Sequence, residues 1–193
     1  MGCNSIIPER KVSVYEGEGM ITFRKLTEFP RGTLVSLLRK GYSFEPQFER
    51  DWLEQWKEFD DFFYDHPEIA DFSGFMTVMD EKPIGFVSWN PTQLPELVEI
   101  GHNCIAAEYK GKGYGKQQMQ EAVRRVISQG AKRIAVCTNA ILLPAQRTYE
   151  SAGFRQYDRE EEPICPEYAG ERIYYEMMIE EDQERKDLDN LMK

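Results

Sequence analysis

The run Ala106-Ala107-Glu108-Tyr109-Lys110-Gly111-Lys112-Gly113-Tyr114-Gly115-Lys116 joins two stretches of different periodicity. Before it, Leu97 to Ile105 alternates apolar with mixed residues, which predicts a strand. After it, Met119, Ala122, Val123, Val126 and Ile127 recur at helical spacing. Three glycines therefore sit where a strand feeds a helix. The first helical turn there has N–H groups without intrahelical partners, and the helix dipole favours an anion beside them. Gly111, Gly113 and Gly115 carry no Cβ, so a phosphate can come close to the backbone. Lys110, Lys112 and Lys116 add positive charge around it. The stretch reads as a phosphate cradle.

The cradle alone does not name its ligand. A dinucleotide fingerprint requires G-x-G-x-x-G, and no glycine stands at or near Gln118. A P-loop requires Ser or Thr after G-K, where Gln117 stands, and Lys110 occupies the place of its first glycine. A glycine-rich turn that only lets strand and helix pack is the competing reading. Charge weighs against it. Between Glu108 and Arg133 there are seven basic residues and two acidic ones, on a chain of net charge −10. A basic island centred on a cradle points to a polyanionic ligand.

The same net charge argues against nucleic acid or an anionic membrane as partner, and it fits a cationic substrate. A length of 193 residues suits one domain with a sizeable core. Residues 1–19 read as an N-terminal extension, 20–180 as the domain and 181–193 as an acidic tail. No basic start is followed by an apolar run, and no apolar run reaches transmembrane length. Cys3, Cys104, Cys137 and Cys165 form no C-x-x-C pair, so neither a disulfide framework nor a metal site is expected. A cytoplasmic protein with buried thiols is the expectation.

Outward from the cradle, Ile21 to Leu26 predicts a first strand, and Gly32 to Arg39 a helix with Leu34, Leu37 and Leu38 on one face. A second helix over Gln47 to Tyr64 carries Phe48, Trp52, Trp56, Phe59 and Phe63 at three- and four-residue spacing. Core contact is the first reading of that stripe, and a pocket wall the second. Nine carboxylates against two bases between Glu49 and Asp71 read as a solvated face. Phe75 to Met79 and Ile84 to Trp89 flank Asp80-Glu81-Lys82-Pro83 as a hairpin, with a loop at Pro91 to Pro95. Gly130 closes the helix after the cradle, and Ile134 to Thr138 is a buried strand. A short helix with Pro144 at its start and Gly153 at its end follows, then strands at Arg155 to Asp158 and Ile173 to Ile179.

This pattern resembles the GNAT superfamily of acetyl-CoA-dependent N-acetyltransferases over about Ile21 to Ile179. The family signature Q/R-x-x-G-x-G/A reads here Lys110-Gly111-Lys112-Gly113-Tyr114-Gly115, with lysine at the first position and Ala107 where proline is common. A second family pattern, A-x-x-x-Y-x-x-x-G-F, is matched by Ala145, Tyr149, Gly153 and Phe154. The asparagine common three residues earlier is absent, since Leu142 stands there.

The resemblance implies an α+β, three-layer fold: a mixed, mostly antiparallel central sheet with helices on both faces and a splayed parallel strand pair. It implies direct attack of a primary amine on bound acetyl-CoA, with no metal. Lys110 to Lys116 would hold the pyrophosphate, and Asn103, Cys104 and Ile105 the pantetheine arm. Tyr149 would act as general acid toward the leaving sulfur, or else be a core tyrosine. Glu99 would be the base, with His102 or water as alternatives and a surface carboxylate as the plain reading. An acetyl-cysteine at Cys104 is not favoured. The expected acceptor is a small cationic amine. A protein amine, and a non-catalytic acyl-CoA-binding module, are the other readings, and a homodimer is a candidate assembly.

Overall fold

The computed structural model describes residues 20–161 and 170–179. The expected extension at 1–19 and tail at 181–193 lie outside the described residues. In chain order the elements are β1 (Ile21–Arg24), α1 (Thr33–Gly41), α2 (Pro46–Asp65), α3 (Pro67–Phe72), β2 (Gly74–Met79), β3 (Lys82–Gln93) and β4 (Leu97–Ile105). They continue with α4 (Tyr114–Ser128), β5 (Arg133–Asn139), α5 (Leu143–Ser151), β6 (Arg155–Glu161) and β7 (Glu171–Met178). The seven strands form one sheet in the order β1-β2-β3-β4-β5-β7-β6. Only β4 and β5 pair in parallel; the other pairs are antiparallel. The mixed sheet matches the class expected from the sequence.

Helices cover both faces because both faces of the sheet are apolar. On one, Met119, Ala122 and Val126 of α4 and Tyr149 of α5 pack on Phe75, Val87, Val98 and Ile134. On the other, Leu34, Leu37 and Leu38 of α1 join Phe48, Trp56 and Phe63 of α2 over Met76, Phe86 and Cys104. The aromatic stripe of α2 is thus largely core. Its acidic residues face water, where Asp61 and Asp65 pair with Arg31 and Glu54 with Lys57.

Asp60 is the exception. It is buried, and its carboxylate accepts from the backbone N–H groups of Gly32 (2.8 Å), Leu34 (3.1 Å) and Val35 (3.4 Å). A side chain of α2 therefore caps the N-terminus of α1, whose own N-cap Gly32 has no side chain to do so. The two helices are fixed as one unit.

Two expectations needed correction. Pro67–Phe72 forms a separate short helix that the sequence reading left unassigned. Strand β3 also runs through Pro91 to Gln93 instead of ending near Trp89. Proline is tolerated there because the β3–β4 register is irregular between Asn90 and Gln93, so no regular ladder bond is lost.

The irregularity that shapes the site lies further along β4. Val87 of β3 faces Asn103, but Trp89 faces Ile100, so β4 carries one extra residue around Gly101-His102. Such a bulge bends its strand and sharpens the twist. The β4–β5 pairing covers only Val98 to Ile100, opposite Ile134 to Val136. Beyond the bulge the two strands part.

Candidate active site

A gap opens where β4 and β5 separate. Its volume is about 280 Å³, and β4 lines it with Gly101, His102 and Asn103. Strand β5 contributes Cys137, Thr138 and Asn139, and α5 contributes Ala145 and Tyr149. The wall toward α1 and α2 is aromatic: Tyr42, Phe48, Trp52 and Trp56. Tyr42 stacks on Trp56 with ring centroids 5.5 Å apart and meets Phe48 at 5.0 Å. Phe48 and Trp56 therefore serve the core and the gap together.

At one end of β4 the glycine run turns into α4. Gly113 is the N-cap of α4 and adopts φ +82°, a region that favours glycine, and no side chain caps that turn. Gly111 adopts φ +78°, and a Cβ built on either glycine meets nothing within 4 Å. The backbone is open on that side, so the first-turn N–H groups of Gly115 and Lys116 fit a phosphate.

The basic side chains of the run differ in placement. The Lys110 ammonium donates to the carbonyl of Gly41 and lies 5.1 Å from the centroid of Phe44. Burial holds its pKa below the ordinary value. It ties the cradle to the end of α1. Lys112 lies over the Tyr109 ring at 5.7 Å. The Tyr114 ring is buried with Ile21, Ile84 and Ile105, so its side chain belongs to the core.

The titratable groups on β4 separate clearly. Glu99 is exposed, opposite Asn90 and Ala135, before the strands part and outside the gap lining. His102 lines the gap with its ring against Phe59, centroids 4.4 Å apart. Burial lowers its pKa from the ordinary 6.5 to about 4, so the imidazole is neutral at physiological pH. Cys104 is buried and its thiol is pushed up to about 12 by burial, which leaves it protonated and a poor nucleophile. Ile105 is buried beside Tyr114.

Tyr149 is 4% exposed, with Phe154 and Tyr175 around its ring at 6.1 and 5.8 Å. Tyr149 and Asn103 both line the gap. Burial pushes its pKa up to about 12, against a smaller lowering by the Asn103 side chain. The phenol keeps its proton and is available as a donor.

Sequence reasoning did not single out Tyr42, Arg172 or Cys137 for this gap. Tyr42 stands at the end of α1, Arg172 on β7 and Cys137 on β5, and no local motif links them. The α2 stripe was the only available signal for Trp52. Among the described residues no group of three His, Cys, Asp or Glu could hold a metal ion, and no helix is long and apolar enough to cross a membrane.

The histidine gives a test of its own. Between pH about 4 and 6.5 the unfolded chain binds a proton at His102 that the folded chain refuses. Stability present above pH 6.5 is therefore expected to fall as the pH drops through that window. Thermal melting of His102→Gln against pH should show a flatter decline than the parent. Parallel curves would contradict the assignment.

Comparison with known proteins agrees with this geometry. The profile of the acetyltransferase (GNAT) family matches residues 33–154, which include the cradle, the gap strands and α5. N-acetylaspartate synthetase of Xenopus tropicalis is 24% identical over 106 residues, 53% of this chain and 39% of that protein. The human protein of the same name is 21% identical over 106 residues, 53% of this chain and 35% of its own length. The matched stretch thus spans less than half of either relative. Among solved structures, the IAA acetyltransferase from Bacillus cereus superposes with TM-score 0.61 at 18% identity, covering 82% of this chain and 99% of that one. A GNAT family acetyltransferase from Elizabethkingia anophelis with acetyl-CoA bound gives 0.57 at 16% identity, covering 82% and 98%. At these identities the structures speak for the fold. With the profile match extending over more than half of its length, the chain belongs to the acetyltransferase (GNAT) family.

Proposed function

We propose that this acetyl-CoA-dependent N-acetyltransferase acetylates the primary amine of a small molecule that also carries a carboxylate, the class to which amino acids belong. One observation carries the reading: the gap lining includes the donor-only side chains of Trp52 and Arg172. The indole N–H of Trp52 is buried with no acceptor among the described residues. Among the described residues Arg172 is the one full charge in the lining, and no carboxylate side chain lines it. A polyamine would bring a second ammonium into this space without a counter-charge, which is costly. A carboxylate would meet the indole N–H and the guanidinium. The cationic acceptor expected from the net charge of −10 finds no support here, since the acidic residues of α2 face water or cap α1. The name of the two synthetases, which specifies an acetylated amino acid, supports the same class.

Acetyl-CoA, when bound, supplies a thioester whose acyl carbon a neutral amine can attack. The residues of this chain then have separable tasks. Amides at the start of α4, with Lys112 and Lys116 beside them, hold the pyrophosphate. The edge of β4 from Gly101 to Asn103, unpaired with β5, offers backbone groups to the amide-bearing arm. His102 accepts the ammonium proton on one ring nitrogen and releases one from the other. Relay suits an imidazole whose charged form is disfavoured by burial. Glu99, exposed at the surface, is placed to collect that proton only through water. Tyr149 donates a hydrogen bond to the leaving sulfur. The retained phenol and imidazole favour turnover over a mere acyl-CoA-binding module.

The test is thiol release from acetyl-CoA with aspartate, glutamate and other amino acids, set against their carboxamides and against spermidine. Loss of a charge-assisted hydrogen bond is worth about 1.5–3 kcal/mol, so amino acids should exceed their carboxamides at least ~10-fold in kcat/KM. Equal rates for acid and amide, or preference for spermidine, would overturn the acceptor class.

A further inference from the structure

We propose that Lys110, at the first position of the family signature, is a positioning residue for the acceptor side of the gap. Its ammonium caps the C-terminus of α1 and so holds Tyr42 in the gap wall, leaving the pyrophosphate to the amides and lysines that follow it. This rests on the reading of the gap as the acceptor site. A helix leaves its last four carbonyls without intrahelical partners, and a glycine just beyond the last turn commonly helps to close them. Helix α1 has no glycine there: Tyr42 is its C-cap, and Ser43 and Phe44 follow. Other donors close it instead. The Tyr42 amide donates to the Leu38 carbonyl at 2.9 Å, the Ser43 hydroxyl to that of Lys40 at 2.9 Å, and the Lys110 ammonium to that of Gly41. Gly41 is buried against β4, where a Cβ would lie 3.4 Å from Cys104 Cβ and 3.4 Å from the Ile105 carbonyl oxygen.

The surroundings of the ammonium suit this task better than phosphate binding. It is partly buried at the Gly41 carbonyl, with the Phe44 ring centroid 5.1 Å away. Helix C-terminal carbonyls and an aromatic face both present negative partial charge, so the cation is already matched. What it holds is next in the chain to Tyr42. That ring stacks on Trp56 at 5.5 Å, meets Phe48 at 5.0 Å and lines the gap. Asp60 of α2 caps the other end of α1. Side chains from elsewhere in the chain therefore close α1 at both ends, and one of them comes from the glycine turn. The turn that faces the cofactor thereby also sets the place of a ring on the acceptor side.

Lys110→Met tests this, since it keeps a long apolar stem and removes the ammonium. The KM for the amino acceptor should rise ~10-fold, while the calorimetric Kd for acetyl-CoA stays within about 3-fold of the parent. Lys110→Arg keeps a cation and N–H donors for the carbonyl and the ring, and should restore most of the acceptor KM. In the protein without ligands, amide hydrogen exchange over residues 41–45, read by mass spectrometry, should be faster in Lys110→Met than in the parent. A phosphate ligand would give the reverse split: acetyl-CoA Kd raised ~10-fold, with acceptor KM and local exchange unchanged. That outcome overturns the proposal, as does a variant indistinguishable from the parent. A general loss of stability that raises both constants together, with exchange faster throughout the chain, overturns it too. If no amino acceptor is turned over, the reading of the gap fails, while exchange at residues 41–45 and the acetyl-CoA titration still decide whether Lys110 caps α1.

Discussion

Tyr149→Phe is expected to lower kcat about 10²-fold while acetyl-CoA affinity stays within a few-fold. The substitution keeps the ring, and so the contacts with Phe154 and Tyr175 that hold α5 on the sheet. It removes only the hydroxyl. A phenol near pKa 12 does not surrender its proton outright to a thiolate, whose conjugate acid lies near 8.5 by analogy with cysteine. As the proposed donor, it would stabilise the developing charge by a hydrogen bond. The measurement is steady-state kinetics with calorimetric titration of acetyl-CoA on the same variant. Tyr42 supplies the control. It is also a buried phenol in the gap lining, with its pKa raised by burial. If Tyr42→Phe carries the loss and Tyr149→Phe does not, the donor has been assigned to the wrong tyrosine.

The second large effect is on stability. Asp60→Ala leaves the N–H groups of Gly32, Leu34 and Val35 without their acceptor in a largely buried setting. Loss of a cap together with unsatisfied buried donors should cost about 3 kcal/mol. For a chain of this size that corresponds to a fall of about 10 °C in Tm, read by calorimetry. Asp60→Asn keeps one acceptor oxygen and should recover much of the loss. Function should suffer too, because α1 and α2 carry Tyr42, Phe48, Trp52 and Trp56 of the gap wall. A rise in the acceptor KM at temperatures where the variant is still folded is the expected signature. A variant as stable as the parent would show that α1 is held by its leucines alone.

These features were unequally legible in the sequence. Strand β4, the glycine turn and α4 could be read because each obeys a local rule: alternation, missing Cβ, helical spacing. Helix α5 was legible for the same reason, with proline at its start and glycine beyond its end. The bulge was not, since it exists only as a mismatch between two registers, and one strand cannot reveal it. Asp60 reads as one carboxylate among nine, and its burial depends on where α1 begins. Arg172 comes to the gap from a strand well beyond the motif helix. The proton acceptor shows the limit most plainly. Glu99 and His102 stand three residues apart on one strand, and the point after Ile100 where β4 parts from β5 decides which of them lines the gap.

The aromatic wall also has an optical consequence. The chain contains three tryptophans. Trp52 and Trp56 line the gap, whereas Trp89 is buried in the core, where its indole N–H donates to Gln129 at 3.0 Å. Two of the three emitters thus border the space that fills and empties during turnover, and the third supplies a constant background. Ligand entry should change the intrinsic fluorescence without any label, with the response surviving Trp89→Phe and shrinking in Trp52→Phe. The side chains that shape the reaction would then also let its individual steps be timed by stopped-flow emission.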